Sequence, residues 1–295
     1  MSPDRPVTVE VEGRTLRLTH LDKVLYPATG TTKAEVIDYY RSIAAVLLPQ
    51  LADRPITRKR WPDGVEGQVF FEKNVPRGHP PWLRTVTFHH ADRGRGRAAR
   101  DVAYVLADDA ATLVWLAQVA ALELHCPQWR VGPEGQRLPP DRLVVDLDPG
   151  PPAGLDECAT VALAARDLLV DAGSDPVAVL SGSKGLHLYA ALEPAAADHA
   201  ADVAQVLAGA LAEQLPALVV PTMARAERAG RVYVDWSQNN PAKTTITPYS
   251  LRGRERPTAA MPVGWDEVEA GGLRQVELAE VPDRLQRFGD LMRGR

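Results

Sequence analysis

Val144-Val145-Asp146-Leu147-Asp148 is the stretch that decides the fold. In a β-strand successive side chains point to opposite faces, so Asp146 and Asp148 share one face while Val145 and Leu147 share the other. Two carboxylates therefore stand side by side on a strand whose opposite face is apolar. Pro149-Gly150 ends the strand. We therefore expect both carboxylates at the rim of a sheet, where ligands bind in α/β proteins.

A third carboxylate ends another short apolar segment, Val232-Tyr233-Val234-Asp235. At strand spacing the two valines face the core, and Tyr233 and Asp235 face the other side. Three carboxylates converging from strands would bind hard divalent cations and hold a nucleoside triphosphate. The alternative interpretation of an Asp-x-Asp pair taken alone is the solvated edge of a strand, which is common.

The segment Ser181-Gly182-Ser183-Lys184-Gly185 precedes a predicted strand that carries His187. Its glycines allow the backbone to approach a phosphate closely, and Lys184 adds a point charge. His187 alternates with leucines, so it faces away from their core, on the same side as Tyr189. Taken alone, the segment is also typical of a hairpin turn, and His187 of a buried, hydrogen-bonded structural histidine.

Composition indicates an ordinary globular protein, with 295 residues, a formal net charge of -4 and 45% hydrophobic residues. The charge argues against a protein that coats nucleic acid indiscriminately. Cys126 and Cys158 lie outside any C-x-x-C spacing and residues 1–5 lack a signal-peptide pattern, so we expect a reduced, cytoplasmic setting. Apolar runs such as Ala110 to Leu124 are shorter than the ~20 residues of a membrane span, so no membrane role is expected.

Strand-like and helix-like patterns alternate along the chain. Residues 7–18 alternate apolar and polar side chains across Gly13, which predicts a hairpin. Thr32 and Glu35 have capping-box spacing ahead of a helical apolar face, which consists of Val36, Ile37, Tyr40, Ile43 and Leu47. Further helices are predicted over 107–124, 157–172 and 198–215, and the strands of a second hairpin over 177–181 and 186–191. This order favours an α/β (α+β) fold, with mixed, largely antiparallel sheets and packed helices, over a doubly wound parallel sheet.

Three groups of basic residues are candidates for phosphate contact. Lys33 falls in the first turn of a predicted helix, where a lysine opposes the helix dipole and a bound anion would explain it, and Lys23 lies nearby in sequence. The alternative for Lys33 is a solvated surface lysine. Two basic segments would form a local phosphate-binding track: 54–60, with Arg54, Arg58, Lys59 and Arg60, and 93–100, with Arg93, Arg95, Arg97 and Arg100. For 93–100 the alternative is a solvated loop.

Several ordered strings carry a resemblance to a known family. They are Leu21-Asp22-Lys23-Val24-Leu25-Tyr26-Pro27, Thr57-Arg58-Lys59-Arg60-Trp61-Pro62, Phe70-Phe71-Glu72-Lys73, His125-Cys126-Pro127-Gln128-Trp129, Asp146-Leu147-Asp148-Pro149-Gly150, Ser181 to Tyr189, Val234-Asp235-Trp236-Ser237-Gln238-Asn239 and Pro248-Tyr249-Ser250-Leu251-Arg252. Together they resemble the polymerase domain of bacterial ATP-dependent DNA ligase D, of the archaeo-eukaryotic primase superfamily. The resemblance implies a single domain over residues 1–295 with a primase-like catalytic core. We expect neither a ligase nor a nuclease module, and hence a stand-alone polymerase or an excised domain.

The resemblance also implies an activity. It is that of a DNA-directed nucleotidyltransferase, a primase-polymerase that fills short gaps at DNA ends in nonhomologous end joining. Mn²⁺ is favoured over Mg²⁺, and NTPs are often preferred over dNTPs. Asp146, Asp148 and Asp235 match the family's catalytic, metal-binding carboxylates. Two divalent cations held there would activate the primer 3′-hydroxyl and stabilise the charge on the pyrophosphate leaving group.

Other matched positions imply binding roles. Ser181, Lys184, His187 and Arg252 match positions that hold the incoming triphosphate in this family. The nucleotide site also includes positions that match Lys59, Arg60, His125 and Gln238. Phe70 and Phe71 match aromatics that stack on a base, although adjacent strand residues face opposite ways, so one of them is expected in the core. Lys23 and Lys33 match residues that grip the 5′-phosphate of a gap, and Arg228 lies in a stretch, 224–231, that matches a primer-aligning loop, which we expect to be mobile without DNA.

Alternatives of other classes remain open at this point. The favoured interpretation is a gap-filling polymerase that acts on DNA gaps, overhangs or broken ends bearing a 5′-phosphate. A Ku-like end-binding protein and a DNA ligase are its expected partners, in a bacterial cytoplasm, at the nucleoid. A primase that starts strands de novo belongs to the same class. A non-catalytic 5′-phosphate end-binding module would not need the intact acids, and a metal-dependent nuclease would use them, although no water-activating base with nuclease spacing stands out.

Overall fold

A computed structural model describes residues 5–90, 100–222 and 227–294. The chain divides into two compact units. The first consists of Met1–Cys126, Val131–Arg137 and Gly253–Pro257, and the second of Pro127–Arg130, Leu138–Arg252 and Thr258–Arg295. The single domain expected over residues 1–295 stays a prediction.

Among its described residues, the first unit contains three helices, three two-stranded antiparallel pairs and a small sheet. The helices are α1 (Lys33–Ser42), α2 (Ala44–Leu51) and α3 (Ala110–Gln118). The strands are β1 (Val7–Val11), β2 (Arg14–Leu18), β3 (Val24–Tyr26), β4 (Thr31–Thr32), β5 (Thr57–Arg60), β6 (Phe70–Glu72), β7 (Thr85–His90), β8 (Arg100–Val105) and β9 (Ala121–Cys126). β5 pairs antiparallel with both β6 and β9. β1 pairs with β2, β3 with β4 and β7 with β8.

The hairpin and the capped helix predicted near the start of the chain are confirmed. β1 pairs antiparallel with β2 through a turn at Glu12 and Gly13, whose φ angles of 48° and 72° are those that a two-residue hairpin turn needs. The Thr32 hydroxyl accepts from the Glu35 N–H, and the Glu35 carboxylate accepts from the Thr32 N–H at 2.7 Å. The five apolar side chains of the predicted face are buried, but Ile43 (φ -94°, ψ 8°) divides the helix into α1 and α2.

The helix predicted over 107–124 is wrong at its C-terminal end. α3 ends at Gln118, and after Ala120, which adopts φ 56°, the chain continues as β9. β9 begins only two residues after Val119, so the apolar pattern of α3 continues into it, although Leu122, Leu124 and Cys126 alternate with Glu123 and His125 at strand spacing. As a result Glu123 and His125 lie on one face of a strand.

The second unit contains four helices and nine strands among the described residues. The helices are α4 (Leu155–Asp171), α5 (His199–Gln214), α6 (Trp265–Ala270) and α7 (Val281–Phe288), with 3-10 turns at Trp236–Asn239 and Leu278–Glu280. Two strands, β10 (Trp129–Val131) and β11 (Arg137–Pro140), span the unit boundaries. The others are β12 (Arg142–Pro149), β13 (Val177–Leu180), β14 (Leu186–Ala191), β15 (Val219–Val220), β16 (Val232–Val234), β17 (Thr245–Ile246), β18 (Thr258–Ala259), β19 (Met261–Val263) and β20 (Val276–Glu277).

Six strands of the second unit form one sheet in the order β15-β16-β12-β14-β13-β19. The β15–β16 pair is parallel and the other neighbouring pairs are antiparallel, which confirms the mixed, largely antiparallel sheet. β12 lies between two strands that carry candidate residues. His187 of β14 lies opposite Asp146, and Tyr233 of β16 lies opposite Asp148.

Helices α4 and α5 confirm the predictions over 157–172 and 198–215, and both pack against β12. The buried residues of α4 recur at helical spacing, at Cys158, Val161, Ala162, Ala165 and Leu169. This packing fixes the strand that carries Asp146 and Asp148. Among the helices of the described ranges, none combines the length and the apolar character that crossing a membrane requires.

The hairpin between β13 and β14 encloses residues 181–185, here called the SGSKG loop. Gly185 lets this loop lie directly on β12, because a Cβ at Gly185 would overlap the carbonyl oxygen of Leu147. We expect Gly185→Ala to lower the free energy of unfolding by about 1–3 kcal/mol, since the overlap forces the backbone apart. Urea unfolding followed by circular dichroism measures this change.

Gly209→Ala in α5 is the matched control. A Cβ there would meet no atom of the described residues within 4 Å. Alanine favours a helix interior over glycine, so the control is expected to raise the free energy of unfolding by about 0.5–1 kcal/mol. Effects of equal sign at the two positions would contradict the packing described for the SGSKG loop.

Candidate active site

Asp146, Asp148 and Asp235, here called the carboxylate cluster, lie close together in the second unit. Asp146 and Asp148 are two residues apart on β12, and the N–H of Asp235 donates to the carbonyl of Asp146 at 2.9 Å. Burial raises the pKa of Asp148, and the neighbouring Asp146 and Asp235 carboxylates raise it further against the opposing effect of Lys184. Mutual repulsion of negative charge is therefore a property of this cluster.

Each carboxylate on β12 has a basic side chain beside it. Asp146 Oδ1 lies 3.2 Å from Nε2 of His187. Asp148 Oδ1 lies 3.6 Å from Nζ of Lys184, which also donates to the carbonyl of Pro149 at 3.2 Å. The Asp148 side chain keeps 35% of its surface exposed, so this carboxylate is open to a ligand from solvent.

Asp235 is held by groups of its own strand and the following 3-10 turn. Its Oδ1 accepts from the backbone N–H of Ser237 (3.1 Å), from the Ser237 hydroxyl and from the Tyr233 hydroxyl (3.2 Å). Its Oδ2 accepts from Nε2 of Gln238 at 3.1 Å. Lys243 donates to the Ser237 hydroxyl and lies 4.0 Å from Asp235 Oδ1. Burial and the Asp235 carboxylate raise the pKa of Tyr233 to about 12, so the phenol stays a hydrogen-bond donor.

The donor chemistry of the cluster can be compared with the needs of a divalent cation. In the described ranges, no three His, Cys, Asp or Glu side chains are grouped so as to hold a metal ion. Asp235 is turned into hydrogen bonds with its own 3-10 turn. Asp146 and Asp148 nevertheless fit, because they present hard oxygen ligands whose repulsion a cation would relieve. Asp235 would join them by exchanging hydrogen bonds of its turn for the cation.

The SGSKG loop lies against the strand that carries Asp146 and Asp148. Within the loop, the Ser181 hydroxyl accepts from the backbone N–H groups of Ser183 (3.2 Å) and Gly185 (3.1 Å). Gly182 adopts φ 68°, and a Cβ there would lie 2.6 Å from Cγ of Arg252, so the stem of Arg252 rests on this glycine. The second unit thus brings the candidate triphosphate ligands together with the carboxylate cluster.

His187 faces the side predicted for it. It is 5% exposed and its ring lies 6.1 Å from that of Tyr189. Nε2 contacts Asp146, whereas Nδ1 is buried and has no hydrogen-bond partner in the described part of the chain. A purely structural histidine would have both ring nitrogens satisfied, because an unsatisfied buried polar atom is costly.

In the first unit a buried acid holds two candidate nucleotide ligands. Glu123 is 1% exposed, and its carboxylate accepts from Nζ of Lys59 (2.9 Å), Nε2 of His125 (2.7 Å) and the backbone N–H of Gly253 (3.1 Å). A buried carboxylate is stable only when it is paired and hydrogen-bonded. Glu123 therefore fixes the positions of Lys59 and His125.

Arg60 is also held by an acid, and two of its basic neighbours in the sequence are buried. Arg60 Nη1 donates to both carboxylate oxygens of Glu72 at 2.9 and 3.0 Å, and Arg58 donates to Glu72 at 3.3 Å. Arg54 is 2% exposed and Arg58 is fully buried. The phosphate-binding track predicted over 54–60 is therefore wrong for these two residues, because β5, between β6 and β9, turns Arg58 inward.

The expectation that one of the two phenylalanines lies in the core is wrong. Phe70 is 38% exposed and Phe71 is 59% exposed. β6 contains three residues and pairs with β5 at the edge of its sheet, so neither ring is covered by a packed layer. Two exposed aromatic rings thus stand beside Arg60 and Lys59, which lie opposite Phe70 and Phe71 in the strand register.

Lys23 and Lys33 are adjacent, as the predicted phosphate pocket requires. The backbone N–H of Lys33 donates to the carbonyl of Lys23 at 2.8 Å. Lys33 is buried, with Nζ donating to the carbonyl of Thr19 at 2.9 Å, so the solvated role is wrong for it. Lys23 Nζ pairs with Asp63 at 2.8 Å. Their binding to phosphate stays a prediction.

Arg228 lies beside the strand that leads to Asp235. Its guanidinium carbon lies 3.7 Å from the centre of the Tyr233 ring, and a Cβ at Gly150 would overlap the Arg228 carbonyl. Residues 224–226 of the predicted primer-aligning loop lie outside the described residues. So do Arg93, Arg95 and Arg97 of the second basic segment, while Arg100 begins β8 and is exposed.

Among the residues that contact candidate site residues and that sequence reasoning missed are Glu123, Lys243 and Gln275. Glu123 has a usable signal, because Glu123-Leu124-His125 places the acid and the histidine on one strand face. Lys243 reaches Asp235 through Ser237, and Gln275 contacts the SGSKG loop. The contact of Gln275 has no local signal, because it joins residues about 90 positions apart, whereas Lys243 lies only six residues from Ser237 in the turn that follows Asp235.

Comparison with known proteins identifies the family. Residues 32–292 match the family described as "LigD, primase-polymerase domain". The LigD repair protein of Mycobacterium tuberculosis (strain ATCC 25618 / H37Rv) is 49% identical over 281 residues, which cover 93% of this chain and 36% of that protein. LigD of Mycolicibacterium smegmatis is 47% identical over 278 residues, covering 94% and 35%. The chain therefore spans about a third of the length of these relatives.

A solved structure agrees with the sequence comparison. The structure described as "Polymerase Domain from Mycobacterium tuberculosis Ligase D in complex with DNA" superposes with a TM-score of 0.88 at 49% identity, covering 94% of this chain and 96% of that one. The mixed α/β architecture is thus shared along nearly the whole chain. With both kinds of match in hand, the chain belongs to the family of LigD primase-polymerase domains.

Proposed function

We propose that this chain is a template-dependent, DNA-directed nucleotidyltransferase that fills short gaps at DNA ends during nonhomologous end joining. The observation that carries the proposal is the pair Asp146 and Asp148 at the end of β12, with the SGSKG loop and Lys184 beside them. Membership of the LigD primase-polymerase family supports it. The chemistry is phosphoryl transfer from a nucleoside triphosphate to a primer 3′-hydroxyl.

In this proposal the carboxylate cluster holds two divalent cations, Mn²⁺ or Mg²⁺. Bound there, the cations would supply activation of the primer 3′-hydroxyl and neutralisation of the charge on the pyrophosphate. Asp146 and Asp148 act as ligands, and Asp235 joins them by leaving part of its hydrogen-bonded turn. Lys184, released from Asp148 when a cation replaces it, would donate to the triphosphate.

The other residues of the second unit bind the triphosphate in this proposal. Ser181 shapes the SGSKG loop, and Arg252 provides a fixed charge whose stem rests on Gly182. His187, whose Nε2 lies 3.2 Å from Asp146 Oδ1, is assigned a triphosphate contact because its position matches one that holds the triphosphate in the family. Gln238 holds Asp235 and contacts the nucleotide once that hydrogen bond is exchanged.

For the candidate residues of the first unit, we propose nucleotide and base contacts, as the family resemblance implies. Glu123 orients Lys59 and His125 for the nucleotide, and Arg60 is oriented by Glu72. The exposed rings of Phe70 and Phe71 suit stacking on bases, which contributes ~1–3 kcal/mol per base. We extend the proposal to a preference for ribonucleotides, as the family resemblance implies.

DNA and partners complete the proposal. Lys23 and Lys33 grip the 5′-phosphate of the downstream strand, and Arg228 aligns the primer end. The similar solved structure is a polymerase domain in complex with DNA, which supports a DNA substrate. A Ku-like end-binding protein and a DNA ligase would act beside it, in the bacterial cytoplasm.

The experiment is primer extension on a one-nucleotide gap with a 5′-phosphate, comparing NTPs with dNTPs under Mn²⁺ and Mg²⁺. We expect templated addition by the wild-type chain and a loss of at least about 1000-fold for Asp146→Ala, since a ligand to the catalytic cations is removed. Binding to gapped DNA, measured by fluorescence anisotropy, is expected to stay within about twofold. The matched control is Asp171→Ala, an exposed acid at the end of α4.

Near-normal incorporation by Asp146→Ala would show that the carboxylate cluster is not catalytic. Tight DNA binding without addition under any condition would indicate an end-binding module instead. Synthesis of dinucleotides without a primer would indicate a primase that starts strands, and shortening of labelled ends would indicate a nuclease.

The 5′-phosphate pocket gives a second prediction. Lys23→Ala combined with Lys33→Ala should weaken binding to gapped DNA by about tenfold or more when the downstream strand carries a 5′-phosphate, because two charged contacts are lost. Binding to the same DNA with a 5′-hydroxyl should change little. Anisotropy titrations at one salt concentration measure both, with thermal unfolding to verify that the variant is folded.

Arg17→Ala combined with Arg41→Ala is the charge-matched control, because both arginines are exposed residues of the first unit. It should lower the affinity for both DNAs by the same small factor. Equal weakening of both DNAs by the lysine variant would refute the pocket.

A further inference from the structure

Gln275 connects the two ends of the SGSKG loop. Its Oε1 accepts from the backbone N–H of Gly182 at 2.7 Å, and its Nε2 donates to the carbonyl of Gly185 at 3.2 Å. The residue immediately precedes β20 and is half-buried. One uncharged side chain therefore holds both glycines of the loop.

The loop contains two glycines, whose backbone is held in one conformation by the contacts of Gln275 as well as by the Ser181 hydroxyl. Glycines lose more conformational freedom on folding than other residues, and Gly182 adopts φ 68°. The carbonyl of Gly182 accepts from the Thr258 hydroxyl of β18. β18 pairs with β20, and Gln275 immediately precedes β20. The carbonyl of Gly182 is therefore held from β18, and its N–H from the residue next to β20.

Three candidate triphosphate ligands depend on this geometry. Ser181 and Lys184 belong to the loop itself, and the stem of Arg252 rests on Gly182. Gln275 carries no charge, so it adds no net attraction for a triphosphate. Its contribution would come from keeping the loop in one conformation before the nucleotide arrives, which lowers the entropy lost on binding.

We propose that Gln275 is a positioning residue that holds the SGSKG loop ready for the nucleoside triphosphate, so that it sets nucleotide affinity without taking part in the transfer step. The proposal rests on the proposed function, since it concerns the same nucleotide site. It assigns a role to the segment before β20, which none of the sequence motifs includes.

The variants separate hydrogen bonding from packing. Gln275→Leu keeps the approximate size and removes both hydrogen bonds. Gln275→Glu keeps an acceptor for the N–H of Gly182 and removes the donor to Gly185. Gln286→Leu, at an exposed glutamine of α7, is the matched control.

The first measurement is amide hydrogen exchange at Gly182 in the free protein, which requires no activity. We expect exchange at Gly182 to be at least about tenfold faster in Gln275→Leu and to stay slow in Gln275→Glu and in the control. Unchanged exchange in Gln275→Leu would overturn the proposal.

The second measurement is steady-state incorporation on gapped DNA with the NTP concentration varied. We expect Gln275→Leu to raise KM for the NTP by about tenfold while kcat stays within about twofold. A fall in kcat at unchanged KM, or faster exchange at Gly182 with no change in KM, would overturn the positioning role. A wild-type chain that incorporates nothing would instead refute the proposed function, and the exchange result would still stand.

Discussion

Negative charge gathered at the end of β12 is the constraint on which the rest of the second unit depends. Asp146 and Asp148 share a face of one strand, and the backbone of Asp235 is bonded to the same strand. Burial and the neighbouring carboxylates raise the pKa of Asp148, and the basic side chains of Lys184 and His187 lie beside the cluster and oppose that shift. The cluster lies at the rim of the sheet beside two basic side chains and the SGSKG loop. This arrangement suits a site in which cations and a triphosphate replace the contacts between the carboxylates and the basic side chains.

In the first unit the charged candidate nucleotide ligands lie in ion pairs. Each of these basic residues is paired with an acid. Lys59 and His125 pair with Glu123, and Arg60 pairs with Glu72. Truncating one member of a buried pair leaves the other uncompensated, so these acids determine where the basic side chains point. Positioning by buried acids is therefore as much a part of the proposed nucleotide site as the basic residues that sequence motifs reveal.

Local patterns predicted what local physics determines. The turn at Gly13, the capping box at Thr32 and the shared face of Asp146 and Asp148 depend on neighbours a few residues apart, and all three are confirmed. The strand at 121–126 was missed because the apolar pattern of the preceding helix continues into it, and its own alternation of Leu122 and Leu124 with Glu123 and His125 is short. The contact of Gln275 with a loop 90 residues away depends on strand pairing, which no local pattern encodes.

Binding of Mn²⁺ to the protein without DNA or nucleotide tests the central claim most directly. The electron paramagnetic resonance signal of free Mn²⁺ gives the bound fraction for the wild-type chain, for Asp148→Asn and for the control Asp171→Asn. We expect binding by the wild type and the control, and affinity at least about tenfold weaker for Asp148→Asn, because a charged oxygen ligand becomes a neutral one. Equal affinity of Asp148→Asn and the wild type would contradict the assignment of the carboxylate cluster to divalent cations.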